Sequence, residues 1–294
     1  MRLALIGNMI LAAAAALMTV VLLLPERGYR PPDETVTVPA DPASIARGQH
    51  LVEAVAVCTV CHGDDLGGKL AFEDPFLGHG YTTNLTAGRG GIGKRYTVRD
   101  WVRSIRYGVR PTRTAIQFMP SDHYNTISDA DLGAIIGYLI QAPPIDNERT
   151  RVELNPVARL LVGVGLFGEV NRTATINFAR PRSKRPLDEG AYLTGIAGCT
   201  FCHGSQLEGG QGPEPGAPAA PSLRGTDPLR PITKTDFVRS LRFGIARDGH
   251  LIQPKHMPWL GYRNMTDPEL ISIWQHTRNE PDGLGPSASK QSYN

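Results

Sequence analysis

Apolar residues are concentrated at the start of the chain, in a run from Leu3 to Leu24 that only a glycine, an asparagine and a threonine interrupt. A helix rises ~1.5 Å per residue, so this run reaches about 33 Å and can cross a hydrocarbon core of ~30 Å. A cleaved signal peptide is the alternative, but its apolar region is usually shorter and ends at small residues. No such site follows Leu24. We therefore expect residues 1–25 to form a retained transmembrane anchor, although either reading exports the chain.

Helical periodicity follows in both halves of the chain. Trp101, Val102 and Ile105 fall on one side of a predicted helix, and Arg103 and Arg106 fall on the other. Each half also has a predicted first helix and a predicted last helix. These span residues 41–57 and 128–141 in the first half, and 186–198 and 266–278 in the second. Both last helices begin with capping-box spacing, so the pattern predicts an all-α fold.

One further apolar run lies between the halves, from Val157 to Phe167. It is too short to span a bilayer, so it has to be buried elsewhere. A connecting helix between domains is one interpretation. A patch that touches the membrane or a partner subunit is the other.

Length and composition add limits to this picture. The 294 residues leave room for about two domains at roughly 100–200 residues each. A hydrophobic fraction of 41% suits buried cores, while 32 glycines and 24 prolines predict long loops. The formal net charge of +3 gives no argument for a nucleic-acid partner.

The four cysteines form two copies of one pattern, Cys-x-x-Cys-His, at Cys58–His62 and Cys199–His203. Two thiols at this spacing can add to the vinyl groups of one haem, and the next residue presents its imidazole to the iron. A redox-active thiol pair, a four-cysteine zinc site and two disulfides are the alternatives. They leave the repeated histidine unexplained. The predicted haem-attaching residues are Cys58, Cys61, Cys199 and Cys202, and the predicted proximal iron ligands are His62 and His203.

The halves repeat each other beyond this motif. Residues 58–68 and 199–209 share seven of eleven positions, and residues 101–109 and 237–245 share five of nine. Self-similarity of this kind indicates duplicated domains. The second block includes Arg106 and Arg242, for which we weigh a core-helix position against a role near haem propionates.

These residues carry a family resemblance: each half resembles a class I cytochrome c domain. The pair is similar to the multihaem cytochrome subunits of membrane-bound dehydrogenases. The resemblance implies two covalent haem c groups in tandem domains at 41–142 and 186–280, with a linker at 143–185 and a tail at 281–294. In this family a glycine in the first helix lets it cross closely over the last helix, a place that Gly48 and Gly190 would take here.

The sixth iron ligand decides whether haem only carries electrons or also binds a substrate. Met119 and Met257 lie 57 and 54 residues after the two motif histidines, and each precedes a proline. The resemblance assigns both of them to iron, whereas Met265 has no counterpart. The competing ligands are histidines without a matching partner in the other half: His79, His123, His250 and His256.

The resulting hypothesis is an electron carrier in the cytoplasmic membrane with its haem domains on the outer, periplasmic side. Its partners would be the membrane and redox proteins: a dehydrogenase or quinol-oxidising donor, and an oxidase or other cytochrome as acceptor. Residues 84–100 resemble a loop of the cytochrome subunits of alcohol and sugar dehydrogenases, although a generic glycine-rich turn is the alternative. A dihaem peroxidase or thiosulfate-oxidising enzyme would need an active haem with an open, His or Cys sixth position, and a gas sensor would need an open iron. The two matched methionines argue against all three.

Overall fold

The computed structural model describes residues 19, 28–149, 151–163, 172–178, 188–212, 216–224 and 232–278. The chain forms two compact units, Met1–Arg185 and Pro186–Asn294. Described residues in both units are mostly helical.

The first unit contains six α-helices and three short strands among its described residues. In chain order they are α1 (Pro42–His50), α2 (Cys58–His62), β1 (Leu70–Asp74), β2 (Gly78–Tyr81), α3 (Val98–Tyr107), α4 (Ser121–Tyr124), α5 (Asp129–Gln141), β3 (Val152–Leu154) and α6 (Pro156–Gly163). A π-helical turn at Leu51–Val55 follows α1, and a 3₁₀ turn lies at Arg172–Thr175.

The crossing of α1 and α5 organises the core of this unit. A Cβ atom on Gly48 would lie 2.0 Å from the carbonyl oxygen of Ala134, so only glycine permits this approach. The Arg47 guanidinium pairs with the buried carboxylate of Asp131 at 3.1 Å beside the crossing. The expected close passage of the first helix over the last is therefore present.

The first helix ends differently from its prediction, which extended it to Val57. After His50 the backbone widens into the π-helical turn, and Val57 then adopts a left-handed conformation with φ of 43°. The apolar pattern continues through this turn because Leu51, Val52, Ala54 and Val55 are buried. Hydrophobic periodicity reports burial, so it did not mark the change of backbone geometry.

A small antiparallel sheet corrects the prediction of an all-α fold. It has the order β1-β2-β3, and β3 comes from the stretch that was assigned to the interdomain linker. Asp74 closes the turn between β1 and β2, since its Oδ1 accepts the N–H groups of Phe76 and Leu77 at 2.7 and 2.8 Å. β2 has the sequence Gly-His-Gly-Tyr, which lacks the β-branched alternation that predicts a strand.

The second unit repeats the helical part of the first. Its helices are α7 (Glu189–Ile196), α8 (Cys199–His203), α9 (Lys234–Phe243), α10 (Trp259–Tyr262) and α11 (Asp267–Arg278). A Cβ atom on Gly190 in α7 would lie 2.1 Å from the carbonyl oxygen of Ser272 in α11. The last helices of both units have the predicted ends within one residue. The predicted domain limits themselves stay predictions.

No helix among the described residues is long and apolar enough to cross a membrane. The predicted anchor at Leu3–Leu24 lies outside the described residues, Thr19 excepted. The apolar run between the halves begins in α6, where Ala158 is buried and Val157 is exposed. The rest of that run, from Val164 to Phe167, also lies outside the described part of the chain.

Candidate functional site

Each Cys-x-x-Cys-His motif forms its own short helix, α2 or α8, and each helix begins after a left-handed residue. This residue is Val57 in the first unit, with φ of 43°, and Gly198 in the second, with φ of 71°. Glycine adopts this conformation freely, whereas a β-branched residue is strained in it. The same turn is therefore formed in both units despite the steric cost at Val57.

The motif histidines have matching hydrogen bonds. Nδ1 of His62 lies 2.8 Å from the carbonyl oxygen of Thr83, and Nδ1 of His203 lies 2.8 Å from that of Pro221. A carbonyl oxygen only accepts, so Nδ1 carries the proton and the lone pair of each ring is on Nε2. Burial lowers the pKa of both imidazoles, which favours the neutral form. Both rings are thus set to offer Nε2 to a metal, with the orienting carbonyl behind them.

The loop after each motif holds the accepting carbonyl in place. Leu66 and Leu207 are buried, and both have φ of 60°. The carbonyl of Leu66 accepts from Leu85 N–H, and that of Leu207 accepts from Leu223 N–H, both at 2.8 Å. Leu85 and Leu223 lie two residues after Thr83 and Pro221, whose carbonyls accept from the histidines. The backbone hydrogen bonds of Leu85 and Leu223 therefore hold these carbonyls in place.

The thiols do not have the properties of a redox-active pair. Burial raises the pKa of the Cys58 thiol to about 12, with a smaller contribution from Cys61, and burial also raises the pKa of Cys199 to about 12. A catalytic thiol pair needs a lowered pKa. All four cysteines are free, and the described residues include no cluster of three or more ligands that could hold a metal ion.

Two free thiols followed by a histidine with Nε2 available are the donor set that covalent haem needs. Free thiols are required for thioether bonds to the porphyrin, and the orphan lone pair on Nε2 is required for iron. Both units meet these requirements with the same backbone geometry. The residues present fit haem c.

A tyrosine in each unit links the methionine segment to the attachment motif. Met119 and Met257 are followed by proline and then by α4 or α10. Oη of Tyr124 donates to the carbonyl of Ala56 at 2.8 Å, and Oη of Tyr262 donates to that of Ala197 at 2.6 Å. Each accepting carbonyl lies two residues before a motif. These tyrosines were not predicted from the sequence, although both stand five residues after a methionine of the repeated Met-Pro pair.

Met119 and Met257, the two ligand candidates, are more exposed than Met265. Met119 and Met257 are half-buried, whereas Met265 is 2% exposed and belongs to the core of the second unit. Met265 therefore fills the core, as its lack of a counterpart suggests. The assignment of Met119 and Met257 to iron stays a prediction.

The competing histidines have local partners instead. Nε2 of His79 lies 3.4 Å from Glu153 across the small sheet, and Nδ1 of His250 lies 2.5 Å from Asp248. His123 is next to Asp122, and burial lowers its pKa. These three histidines have no matching histidine in the other half of the sequence, so they do not form a repeated site.

Arg106 and Arg242 have structural positions at the start of the last helices. Nη2 of Arg106 donates to the carbonyl of Ile127 at 2.8 Å and to Asp129 at 2.6 Å. Nη2 of Arg242 donates to Asp267 at 2.5 Å. These bonds favour the core-helix interpretation over a role near propionates.

Comparison with known proteins agrees with the first unit's geometry. Residues 43–139 match the family model described as cytochrome C oxidase, cbb3-type, subunit III. This part of the first unit is therefore similar to a cytochrome family. The match does not extend over the second unit.

Three of the relatives among known proteins are cytochrome subunits of dehydrogenases. The fructose dehydrogenase cytochrome subunit of Gluconobacter japonicus is 29% identical over 65% of this chain and 41% of its own length. The alcohol dehydrogenase (quinone) cytochrome c subunit of Gluconobacter oxydans is 33% identical over 34% and 22%. The gluconate 2-dehydrogenase cytochrome c subunit of Pantoea cypripedii is 27% identical over 56% and 38%.

The chain thus spans less than half the length of each of these relatives. Each of these three relatives is named as the cytochrome subunit of a dehydrogenase.

Proposed function

We propose that the chain is a dihaem electron carrier that takes electrons from a dehydrogenase and passes them to a respiratory acceptor. Each unit would hold one haem c. The observation that carries this proposal is the repeated histidine geometry, in which Nδ1 of His62 and of His203 each lies 2.8 Å from a backbone carbonyl. The same geometry in both units supports one haem site in each.

The chain's own residues would perform three tasks in this proposal. Cys58 and Cys61, with Cys199 and Cys202 in the second unit, attach the group by thioether bonds. His62 and His203 bind the iron through Nε2, and Met119 and Met257 complete its coordination. Haem c supplies a one-electron Fe(III)/Fe(II) couple when bound. A thioether ligand favours the ferrous form and closes the iron to substrates, which suits transfer and not catalysis.

Homology supports a dehydrogenase as donor, because the relatives named above are cytochrome subunits of dehydrogenases for fructose, alcohol and gluconate. We propose that the partner of this chain is a dehydrogenase for a substrate of one of these three classes. We propose quinone or a terminal oxidase as acceptor. We also propose that the N-terminal segment anchors the chain with both units on the outer face of the cytoplasmic membrane.

Haem stoichiometry tests the dihaem proposal. The purified protein should contain two haems per chain that survive acid-acetone extraction, measured against protein by amino-acid analysis. Substituting serine for both cysteines of one motif should leave one covalent haem, whichever motif is changed. A single covalent haem in the unmutated protein would refute the second site.

The donor is tested by deleting the gene and measuring oxygen uptake on a panel of alcohols, sugars and simple reductants. Loss of uptake on one dehydrogenase substrate, restored by the intact gene, is the expected result. Unchanged uptake on every dehydrogenase substrate, with loss on a quinol-dependent route alone, would place the chain downstream of a quinol-oxidising complex instead.

A further inference from the structure

One face of α3 in the first unit is closed by other segments of the same unit. Tyr29, Tyr107 and Val109 form a buried cluster against which Ile176 and Phe178 pack. The rings of Tyr107 and Phe178 meet edge to face with their centroids 5.4 Å apart. Since protein covers this face, it is not a surface that a prosthetic group occupies.

The segment at residues 28–34 is bound there partly through its backbone. Gly28 pairs with Thr114 as an antiparallel bridge. The N–H of Tyr29 donates to the carbonyl of Arg113 at 2.8 Å. The segment therefore adds as a short strand to the turn that follows α3, in the manner of β-augmentation.

Charge completes this attachment. Asp33 pairs with Arg99 at 3.0 Å and lies 4.0 Å from Arg103. Glu34 pairs with Arg106 at 3.2 Å. The segment thus combines an aromatic side chain at position 29 with carboxylates four and five residues later. The carboxylates form ion pairs with arginines of α3.

The corresponding face of the second unit is open among the described residues. Phe243 and Leu251, which correspond to Tyr107 and Ala115, are 62% and 65% exposed. An open cavity of about 420 Å³ lies on this face of α9. Its lining consists of Lys234, Thr235, Val238, Arg239, Phe243 and Ile245. Exposed apolar side chains around one cavity indicate a binding surface.

The cavity is also positive. Two cations and no carboxylate line it. Arg239 corresponds to Arg103, and each pairs with an aspartate of its own helix, Asp236 at 2.9 Å and Asp100 at 3.0 Å. Arg103 also lies near Asp33 in the first unit, so such a pair leaves room for a second carboxylate. Nε of Arg239 is buried without a hydrogen-bond partner among the described residues. A carboxylate from outside would lie beside the guanidinium of Arg239 as Asp33 lies beside Nη2 of Arg103 at 4.0 Å.

The chain that precedes the second unit has the wrong chemistry to close this face. Residues 179–187 carry four basic side chains and no carboxylate. The aromatic residue before them, Phe178, is already packed on Tyr107. The first unit therefore uses both aromatic segments, and the described residues of the second unit include no equivalent segment.

We propose that this face of the second unit, defined by Val238, Arg239, Phe243, Ile245 and Leu251, binds an extended acidic segment of another protein. The segment would carry an aromatic side chain followed four or five residues later by a carboxylate. It would add to the edge at Gly249 and His250, as residues 28 and 29 add to residues 113 and 114. This docking surface goes beyond electron transfer and does not depend on the number of haems.

A synthetic peptide of residues 28–38 provides a defined probe, since it has the chemistry that the face should recognise. It should bind the purified holoprotein, measured by fluorescence anisotropy, and binding should weaken as salt rises. Phe243→Ser and Arg239→Glu should each weaken it about tenfold or more, because an apolar anchor or an ion-pair partner is lost. A peptide with lysine at positions 33 and 34 should not bind.

Phe76→Ser is the matched control, because Phe76 is 84% exposed in the first unit, and binding should not change. Phe243 is exposed, so its substitution leaves the fold intact and keeps the test decisive if Arg239→Glu fails to fold. Absence of peptide binding, or equal binding by Phe243→Ser and the unmutated protein, would overturn the proposal.

Photocrosslinking distinguishes the possible occupants. Benzoylphenylalanine at position 243, in cells that make the full chain, should crosslink to a different polypeptide at an acidic segment that contains an aromatic residue. The same group at position 76 should not give this product. Crosslinks to residues 279–294 of the chain itself, to a second copy, to a basic segment, or to no protein would each contradict the proposal.

Discussion

Single residues determine whether the two candidate sites can bind and retain iron. The two motifs were predicted from the sequence because thiols and imidazole at fixed spacing are rare outside this chemistry. The carbonyls of Thr83 and Pro221 that orient the histidines were not predictable, since any residue type can supply a backbone oxygen. Their positions depend on the loop that follows each motif, which only the folded chain reveals.

Methionine ligation gives a prediction at this scale. The unmutated, reduced protein should bind no appreciable carbon monoxide at neutral pH, because His/Met coordination leaves no open position. Met119→Ala and Met257→Ala should each allow about one carbon monoxide per chain and lower the potential of one haem. Met265→Ala is the control, since Met265 is a core residue whose loss should reduce stability without opening an iron. Carbon monoxide binding by the unmutated protein would favour the enzyme alternative.

The linking tyrosines give a second prediction. Tyr124→Phe removes the hydroxyl that donates to the carbonyl of Ala56 at 2.8 Å, and Ala56 is 2% exposed. An unpaired buried carbonyl should lower the free energy of unfolding by about 1–2 kcal/mol, measured by guanidinium denaturation. Tyr262→Phe should act similarly in the second unit.

Tyr138→Phe is the comparison for this experiment. The Tyr138 hydroxyl donates to the Glu53 carboxylate at a partly exposed position, so its loss should change stability by no more than about 0.5 kcal/mol. If Tyr124→Phe is no more destabilising than Tyr138→Phe, the hydroxyl does not hold the methionine segment in place.

At the scale of elements, the helices were predictable where capping and amphipathic patterning agree. Thr97 and Asp100 cap α3 reciprocally, as Thr233 and Asp236 cap α9, and the predicted helix at 101–106 lies within α3. The sheet was not predictable, because β2 is glycine-rich and gains its order from pairing with β3, more than 70 residues later. Long-range pairing has no local signal in the sequence.

The helix crossing gives a prediction about an element contact. Gly48→Ala would place a Cβ atom 2.0 Å from the Ala134 carbonyl oxygen, so α1 has to move away from α5. We expect a loss of about 3 kcal/mol or more in the free energy of unfolding. Gly28→Ala is the matched control, because nothing lies within 4 Å of a Cβ atom there. Equal stability of the two variants would mean that the crossing tolerates a side chain.

At the scale of the whole molecule, the repeat in the sequence corresponds to helices in the same order in both units. The units differ in what surrounds them, since the first has the sheet and the covering segments at 28–34 and 172–178. Local identity between the halves predicted the shared helices, but it could not predict this difference, because it depends on residues outside the repeat. The first unit therefore closes a face whose counterpart is open among the described residues of the second unit.

The N-terminal segment gives the last prediction, which concerns the chain as a carrier confined beside its partners. Replacing residues 1–25 by a cleavable signal peptide should release the protein from the membrane with its covalent haem content unchanged. Donor-dependent oxygen uptake should then fall, because confinement to the membrane raises the effective concentration of partners without any new contact. An unrelated transmembrane helix in place of residues 1–25 should restore uptake. A native protein found soluble, with its N-terminus downstream of Leu24, would instead identify the segment as a removed signal.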